Sequence, residues 1–373
     1  MGSFRLGSIL GFEIRIDFSW FIIFFLILWT FGSAVFPNEL PGLSTTTYYI
    51  MGTAGALLFF ASLIAHELSH SLVARTKDIP VEGITLFIFG GIARTRMDAE
   101  TPVDEFQIAG IGPVTSLALA GLFYTVEWLG GVLGWPTAVT ALAGYLGLWN
   151  LALAIFNLLP GFPLDGGRLF RSIAWYFTDD ANRATRWASN GGRGLGLALV
   201  AVGVALIFFI GDLLNGFWLI FIGWFLRNAA ESSYQQFLIR NALGGVQARH
   251  AMTRDPETVP PDISLRELVD EHFMARRFHA YPVVEGGSTL GLVTLAGVKE
   301  VPREEWETKT ARDVMTPADE ALVVAPDDGL TDVVDKLSGS DSRRVLVLDD
   351  GELAGLITGS DITAWLRKAK ELS

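Results

Sequence analysis

Two histidines and a glutamate dominate any search of this sequence for chemistry. They stand together as Ala65-His66-Glu67-Leu68-Ser69-His70-Ser71, in a run otherwise built from Leu, Ile, Phe and Ala. On a helix, residues four apart project from one face, so both imidazoles point the same way. That spacing suits two adjacent corners of a tetrahedral zinc ion, with the intervening Glu67 near a metal-activated water. An idle cluster of this kind costs several kcal/mol of desolvation in apolar surroundings. The plain alternative, a polar cluster that only glues helices, must bear that cost.

A catalytic zinc takes three protein ligands and keeps one position open. No other histidine precedes His250, so the third ligand should be a carboxylate. Asp165 closes the run Asn157-Leu158-Leu159-Pro160-Gly161-Phe162-Pro163-Leu164-Asp165-Gly166-Gly167, at the same end of its apolar span as the two histidines. Two prolines end the helix there and two glycines permit a tight turn, which predicts Asp165 on irregular backbone able to aim inward. Glu82, Asp98 and Asp104 on the same loop side, and Glu127 near the opposite face, stay open as alternatives. Helix capping is the alternative role for Asp165 itself.

The elements that must position these residues are membrane helices. The chain has 373 residues, 50% of them hydrophobic and only 18% charged. Soluble domains are about a quarter charged, so an ordinary cytosolic enzyme is excluded. A hydrocarbon core of ~30 Å needs ~20 apolar helical residues. Six stretches qualify, near 17–36, 48–74, 107–130, 137–161, 191–211 and 214–231. The first is too long for a cleavable signal, lacks a small-residue cleavage pattern and is followed by five more spans. Cysteine is absent, which removes disulfides, thiolate zinc sites and a cysteine nucleophile. The net charge of −12 argues against nucleic acid as a partner.

Basic residues set an orientation, because Lys and Arg near span ends stay on the cytoplasmic side. With the amino terminus inside, the outer connections 37–47, 131–136 and 212–213 hold no Lys or Arg. The inner ones hold eleven, from Arg5 and Arg15 through Arg75, Lys77, Arg94 and Arg96 to Arg168, Arg171, Arg183, Arg186 and Arg193. Both termini and the whole tail are then expected in the cytoplasm. The inner segment 81–94, Val-Glu-Gly-Ile-Thr-Leu-Phe-Ile-Phe-Gly-Gly-Ile-Ala-Arg, reads as two short strands joined by the Gly90-Gly91 pair. Extended backbone this apolar cannot face lipid unpaired, so it should fold back as a membrane-associated hairpin against other protein.

His66-Glu67-Leu68-Ser69-His70 on one span, with Asn157 to Gly167 closing another, resembles the site-2 protease family of intramembrane zinc metalloproteases (M50 type). The resemblance implies Zn2+ held by His66, His70 and Asp165, and Glu67 activating water. It also implies Asn157 contacting substrate or the tetrahedral intermediate. Gly112-Pro113-Val114-Thr115-Ser116 resembles the family's G-x-x-x-S/N/G core-helix signature. The 81–94 hairpin resembles the strand element thought to receive substrate by edge pairing, a general mode of peptide capture. The implied substrate is a single-span transmembrane regulatory protein, such as an anti-sigma factor or a transcription-factor precursor, cut within or near its membrane segment.

The tail differs in kind. Residues 241–373 carry 15 basic and 24 acidic side chains, a net of −9, against −3 for the first 240 residues. Met252-Thr253 recurs as Met315-Thr316, an offset of 63, and Gly291-Leu292-Val293-Thr294 recurs as Gly355-Leu356-Ile357-Thr358, an offset of 64. This repeat resembles a tandem pair of CBS domains (a Bateman module). The expected division is 1–235 transmembrane protease domain, 236–246 linker, 247–305 first CBS domain and 306–373 second. The resemblance implies an ATP- or AMP-type nucleotide between the repeats and association into a homodimer. Thr358 would face phosphate and Asp361 ribose. The first repeat has Thr294 but Gly297 where the second has Asp361, so one well-formed ribose site is expected. Capping of the helix after Thr358 is the plain alternative for that pair. His250, His272 and His279 lack ligand spacing and read as surface or packing residues. A reading from another class is a CBS-gated channel or transporter whose buried His and Asp line a path. It does not require a glutamate between the histidines, and no inverted repeat is apparent.

Overall fold

Phe12, Ile14 and Ile16 alternate with Glu13, Arg15 and Asp17, the pattern a strand with one buried face requires. The computed structural model, which describes residues 3–88, 90–95, 99–276, 278–338 and 344–372, makes this segment a strand. Strands β1 (Ser3–Ile9) and β2 (Phe12–Asp17) form an antiparallel hairpin that the sequence reading missed. Helix α1 (Ser19–Thr30) continues through a π turn (Phe31–Val35) into the short α2 (Phe36–Glu39). Helix α3 (Thr45–Arg75), capped by the Ser44 hydroxyl accepting from the Thr47 amide, carries the two histidines.

Strands β3 (Val81–Phe87) and β4 (Gly90–Thr95) are the expected hairpin, with one correction. Gly90 and Gly91 do not join the strands; they are the first two residues of β4, opposite Phe87 and Leu86. The hairpin also does not stand alone. β3 runs parallel to β2, giving a four-stranded sheet in the order β1-β2-β3-β4. Phe12, Ile14, Ile16, Ile84 and Leu86 bury one face of it against Trp20 of α1 and Phe60, Leu63 and Leu68 of α3. This packing pins the sheet beside the histidine motif.

Helix α4 (Pro102–Leu133) starts with Thr101 as cap and Pro102 in the first turn, and stops at the left-handed Gly134. Helix α5 (Thr137–Asn157) follows. Next comes a helix that the sequence reading did not anticipate, the amphipathic α6 (Asp165–Thr178). Asp165 is therefore not on irregular backbone but is the first residue of a helix. Helices α7 (Ala181–Ala205, extended to Ile210 by a π turn) and α8 (Leu213–Leu243) complete the bundle. They cross at glycines. A Cβ on Gly203 would lie 2.6 Å from the Gly216 carbonyl, and one on Gly223 2.5 Å from that of Gly196.

Among the described residues six helical stretches are long and apolar enough to cross a membrane: Ser19–Glu39, Thr45–Arg75, Pro102–Leu133, Thr137–Asn157, Ala181–Ile210 and Leu213–Leu243. Each overlaps one of the six expected spans, although Ala181–Ile210 begins well before the expected 191 and Leu213–Leu243 ends well after the expected 231.

The chain divides into two compact units, Met1–Gln235 and Gln236–Ser373, and α8 runs across that boundary. The second unit opens with Leu243 at the end of α8, buried among Val333, Val345 and Ile357. Its first repeat comprises α9 (Ala248–Ala251), β5 (Thr253–Arg254), α10 (Leu265–Glu267, continued by a π turn to Phe273), β6 (Ala280–Glu285), β7 (Ser288–Thr294) and α11 (Leu295–Lys299). The second comprises α12 (Ala311–Val314), β8 (Thr316–Pro317), β9 (Val323–Val324), α13 (Leu330–Ser338), β10 (Arg344–Asp349), β11 (Glu352–Thr358) and α14 (Gly359–Leu372). The repeats exchange their Met-Thr segments: Thr253 pairs with Leu356 of the second, and Thr316 with Leu292 of the first. The motifs that recur in the sequence are thus the segments that pair across the two repeats.

Candidate active site

His66 and His70 face the same side of α3, and the structure brings Asp165 of α6 to them. His66 Nε2 lies 3.0 Å from Asp165 Oδ2, His70 Nε2 3.2 Å from the same oxygen, and the two Nε2 atoms are 3.2 Å apart. Both rings are buried. The His70 Nδ1–H donates to the Ile108 carbonyl at 2.6 Å, so its Nε2 presents a lone pair. His66 Nδ1 sits 2.8 Å from Ser116 Oγ, and donation in that direction leaves a lone pair on its Nε2 as well. Two imidazole nitrogens and a carboxylate oxygen thus converge in an arrangement that could hold a cation. Among the described residues this is the only such trio of His, Cys, Asp and Glu ligand atoms.

Gly112 of α4 makes room for them. A Cβ there would sit 2.1 Å from His70 Nε2 and 2.7 Å from His66 Nε2. The loop leading to Asp165 is equally tight. A Cβ on Gly166 would strike the Leu158 carbonyl at 2.3 Å, and one on Gly167 that of Gly161 at 2.6 Å. The two glycines serve close approach of the α6 start to the loop behind it, with Leu164 as the cap residue. Asp165 does not cap its own helix; its carboxylate faces the imidazoles.

Glu67 projects on the sheet side of α3. A Cβ on Gly91 of β4 would lie 2.5 Å from Glu67 Cγ and 3.1 Å from its Oε1, so this strand position admits no side chain. β4 is an edge strand of the sheet, with one side of its backbone unpaired by β3. Asn157 ends α5 with its amide donating to the Leu153 carbonyl of its own helix at 3.0 Å.

The other carboxylates considered from sequence are accounted for differently. Asp104 pairs with Lys77 at 2.8 Å, and Glu127 packs against Gly144. Asp98 and the side chain of Glu82 lie outside the described residues. A further carboxylate, Glu105 in the first turn of α4, is fully buried and bonds Arg171 of α6 at 2.7 Å. Its only signal in the sequence is an acid at the mouth of an apolar span. Leaving either partner of such a buried pair alone costs about 3–5 kcal/mol.

In the second unit, Thr358 and Asp361 meet at the start of α14. Asp361 Oδ2 accepts from the Thr358 amide at 2.8 Å and its hydroxyl at 2.6 Å, and Oδ1 accepts from Thr253 Oγ1 at 3.1 Å. They line a cavity of about 480 Å³ shared with Glu257, Phe278, His279 and Arg344. In the first repeat Thr294 only caps α11, accepting from the Gly297 amide at 3.1 Å. His272 approaches Glu257 at 3.3 Å, whereas His279 borders the cavity.

Residues 54–132 and 129–199 match peptidase family M50, and residues 248–303 and 311–368 match the CBS domain. Rip3 of Mycobacterium tuberculosis is 36% identical over 359 residues, 96% of this chain and 91% of that one. The zinc metalloprotease MJ0392 of Methanocaldococcus jannaschii is 30% identical over 370 residues, 96% and 95% of the two chains. The chain belongs to peptidase family M50. A solved site-2 protease from the same archaeon is 28% identical, covering 62% of this chain and 94% of that one at a TM-score of 0.42. By its family match and its curated relatives this M50 chain is a zinc metalloprotease, a multi-pass membrane protein carrying a CBS pair. That assignment displaces the channel reading. The zinc that M50 implies suits the trio. Bonds of about 2.0–2.1 Å to tetrahedral corners separate donors by roughly 3.3 Å, close to the 3.0–3.2 Å found. The Nδ1 partners supply the outer hydrogen bonds that fix metal-binding imidazoles.

Proposed function

We propose that His66, His70 and Asp165 hold the zinc, that Glu67 is the general base, and that the reaction is hydrolysis of a peptide bond within or near the membrane segment of a single-span protein. The observation that carries this reading is Gly91: it lets Glu67, one residue from His66, pack directly on the edge strand β4. An extended substrate strand paired to that edge presents its backbone carbonyls beside the carboxylate. A helical substrate must unwind first, because a helical peptide bond is shielded by its own hydrogen bonds. Substrates should therefore carry helix-destabilising residues at the cleavage point.

When bound, zinc supplies Lewis acidity that polarises the scissile carbonyl and acidifies water. Glu67 takes the proton from the attacking water and delivers it to the leaving nitrogen as the C–N bond breaks. Asn157 donates one amide hydrogen to Leu153 and has the second to offer the tetrahedral oxygen. The uneven distribution of Lys and Arg supports cytoplasmic termini and a site opening toward the cytoplasm. The second-unit cavity supports regulation by an adenine nucleotide, with Thr358 and Arg344 toward phosphate, Asp361 toward ribose and Phe278 against the base.

The test is co-expression with tagged single-span membrane proteins of the same cell. Glu67→Gln should retain one zinc per chain and lose cleavage by about 10²–10⁴-fold, whereas His66→Ala and Asp165→Ala should lose the metal. Cleavage persisting in Glu67→Gln, or zinc retained in both ligand variants, would overturn the assignment.

A further inference from the structure

Helix α4 touches both histidines, and the helix that begins with Asp165, from one stripe. Residues 105, 108, 112 and 116 are three, four and four apart and share a face. Ser116 meets His66, the Ile108 carbonyl meets His70, and Gly112 clears the space between the rings. Glu105 continues the stripe and reaches α6, the helix that begins with the third ligand. Its carboxylate is 1% exposed, with Oε2 accepting from Arg171 Nε at 2.7 Å and Oε1 3.7 Å from Arg168 Nε. The Arg171 guanidinium also lies 5.9 Å from the centre of the Phe162 ring, in the loop just before Asp165. No side chain caps the start of α6, so its own first turn does not fix it.

We propose that Glu105 is a positioning residue: through Arg171 it fixes the rotation and depth of α6 and so aims Asp165 at the two imidazoles. This rests on the reading of His66, His70 and Asp165 as the zinc ligands. Arg171 lies about 9 Å along the helix from Asp165 at 1.5 Å per residue, and a rigid helix transmits a small rotation at one point to the other. Displacement of a ligand oxygen by about 1 Å is enough to cost 10²-fold in rate.

The test uses the full chain purified in detergent. Metal affinity is measured by competition with a chelator, and ligand geometry by the visible absorption of the Co2+-loaded protein. Glu105→Gln and Arg171→Lys should each weaken metal binding about 10–100-fold, alter the Co2+ spectrum, and lower kcat with little change in KM. Glu105→Gln/Arg171→Gln leaves no lone buried charge and keeps the test open if a single variant fails to fold; it should show the same weakened binding. Glu231→Gln, which breaks the Arg193–Glu231 pair between α7 and α8, controls for loss of an ion pair elsewhere and should bind metal as wild type. Affinity within about twofold of wild type in the double variant, with Asp165→Ala metal-free, would overturn the tether alone. Asp165→Ala binding metal as tightly as wild type would instead overturn the ligand assignment beneath it.

Discussion

At Gly112 one missing methyl group decides whether the ligand set exists. A Cβ there would overlap His70 Nε2 at 2.1 Å, and the imidazoles cannot retreat because Ser116 and Ile108 hold their far sides. Gly112→Ala should therefore lose most bound zinc, measured by elemental analysis of folded protein; stoichiometric zinc in this variant would show that the rings have room to move. Ser116→Ala is gentler. It removes the partner of His66 Nδ1 and should weaken zinc about 10–100-fold without abolishing it, read by chelator competition. The histidine pair was legible in the sequence because its spacing is a property of one helix. The purpose of Gly112 was not, since a glycine in an apolar span looks the same whether it faces lipid or two rings.

The element that borders Glu67 is the sheet, half of which the sequence reading overlooked. Alternation in Phe12–Asp17 was present, but the adjoining apolar span hid it. The Gly90-Gly91 pair looked like a turn, and glycines commonly are turns. Here Gly91 serves a close approach to Glu67, information that resides on α3 and not in the strand. Gly91→Val should keep zinc at one per chain and lose cleavage by at least about tenfold, because a side chain there pushes Glu67 or the β4 edge out of place. Equal activity would mean that the edge is not where the substrate reacts. Asp165 lies beside the imidazoles, but not on the backbone expected of it. The prolines and glycines pointed to a loop, whereas a new helix begins at the aspartate itself.

At the scale of the molecule, a sparsely charged membrane unit and an acidic repeat unit follow from composition, and both are present. The repeat's two-strand exchange turns similar sequences into a single seven-stranded sheet. The first repeat lines the cavity with Glu257 and the second with Asp361. If that cavity binds adenine nucleotide, ligand at about 100 times Kd stabilises the fold by about 2.7 kcal/mol, visible as a rise in melting temperature of the full chain. Asp361→Ala should abolish most of that rise with ATP or AMP. A rise equal to that of wild type would remove Asp361 from the site.

From sequence alone came what depends on short range: six spans from runs of apolar residues, two imidazoles on one helical face, a repeat from its own recurrence. Tertiary structure decided which carboxylate joins the histidines, which strand edge borders Glu67, and which buried ion pair ties α4 to α6. Those are contacts between residues roughly 20 to 100 positions apart, and the helical period that fixes a neighbour four residues on carries no information about what packs against it from another helix.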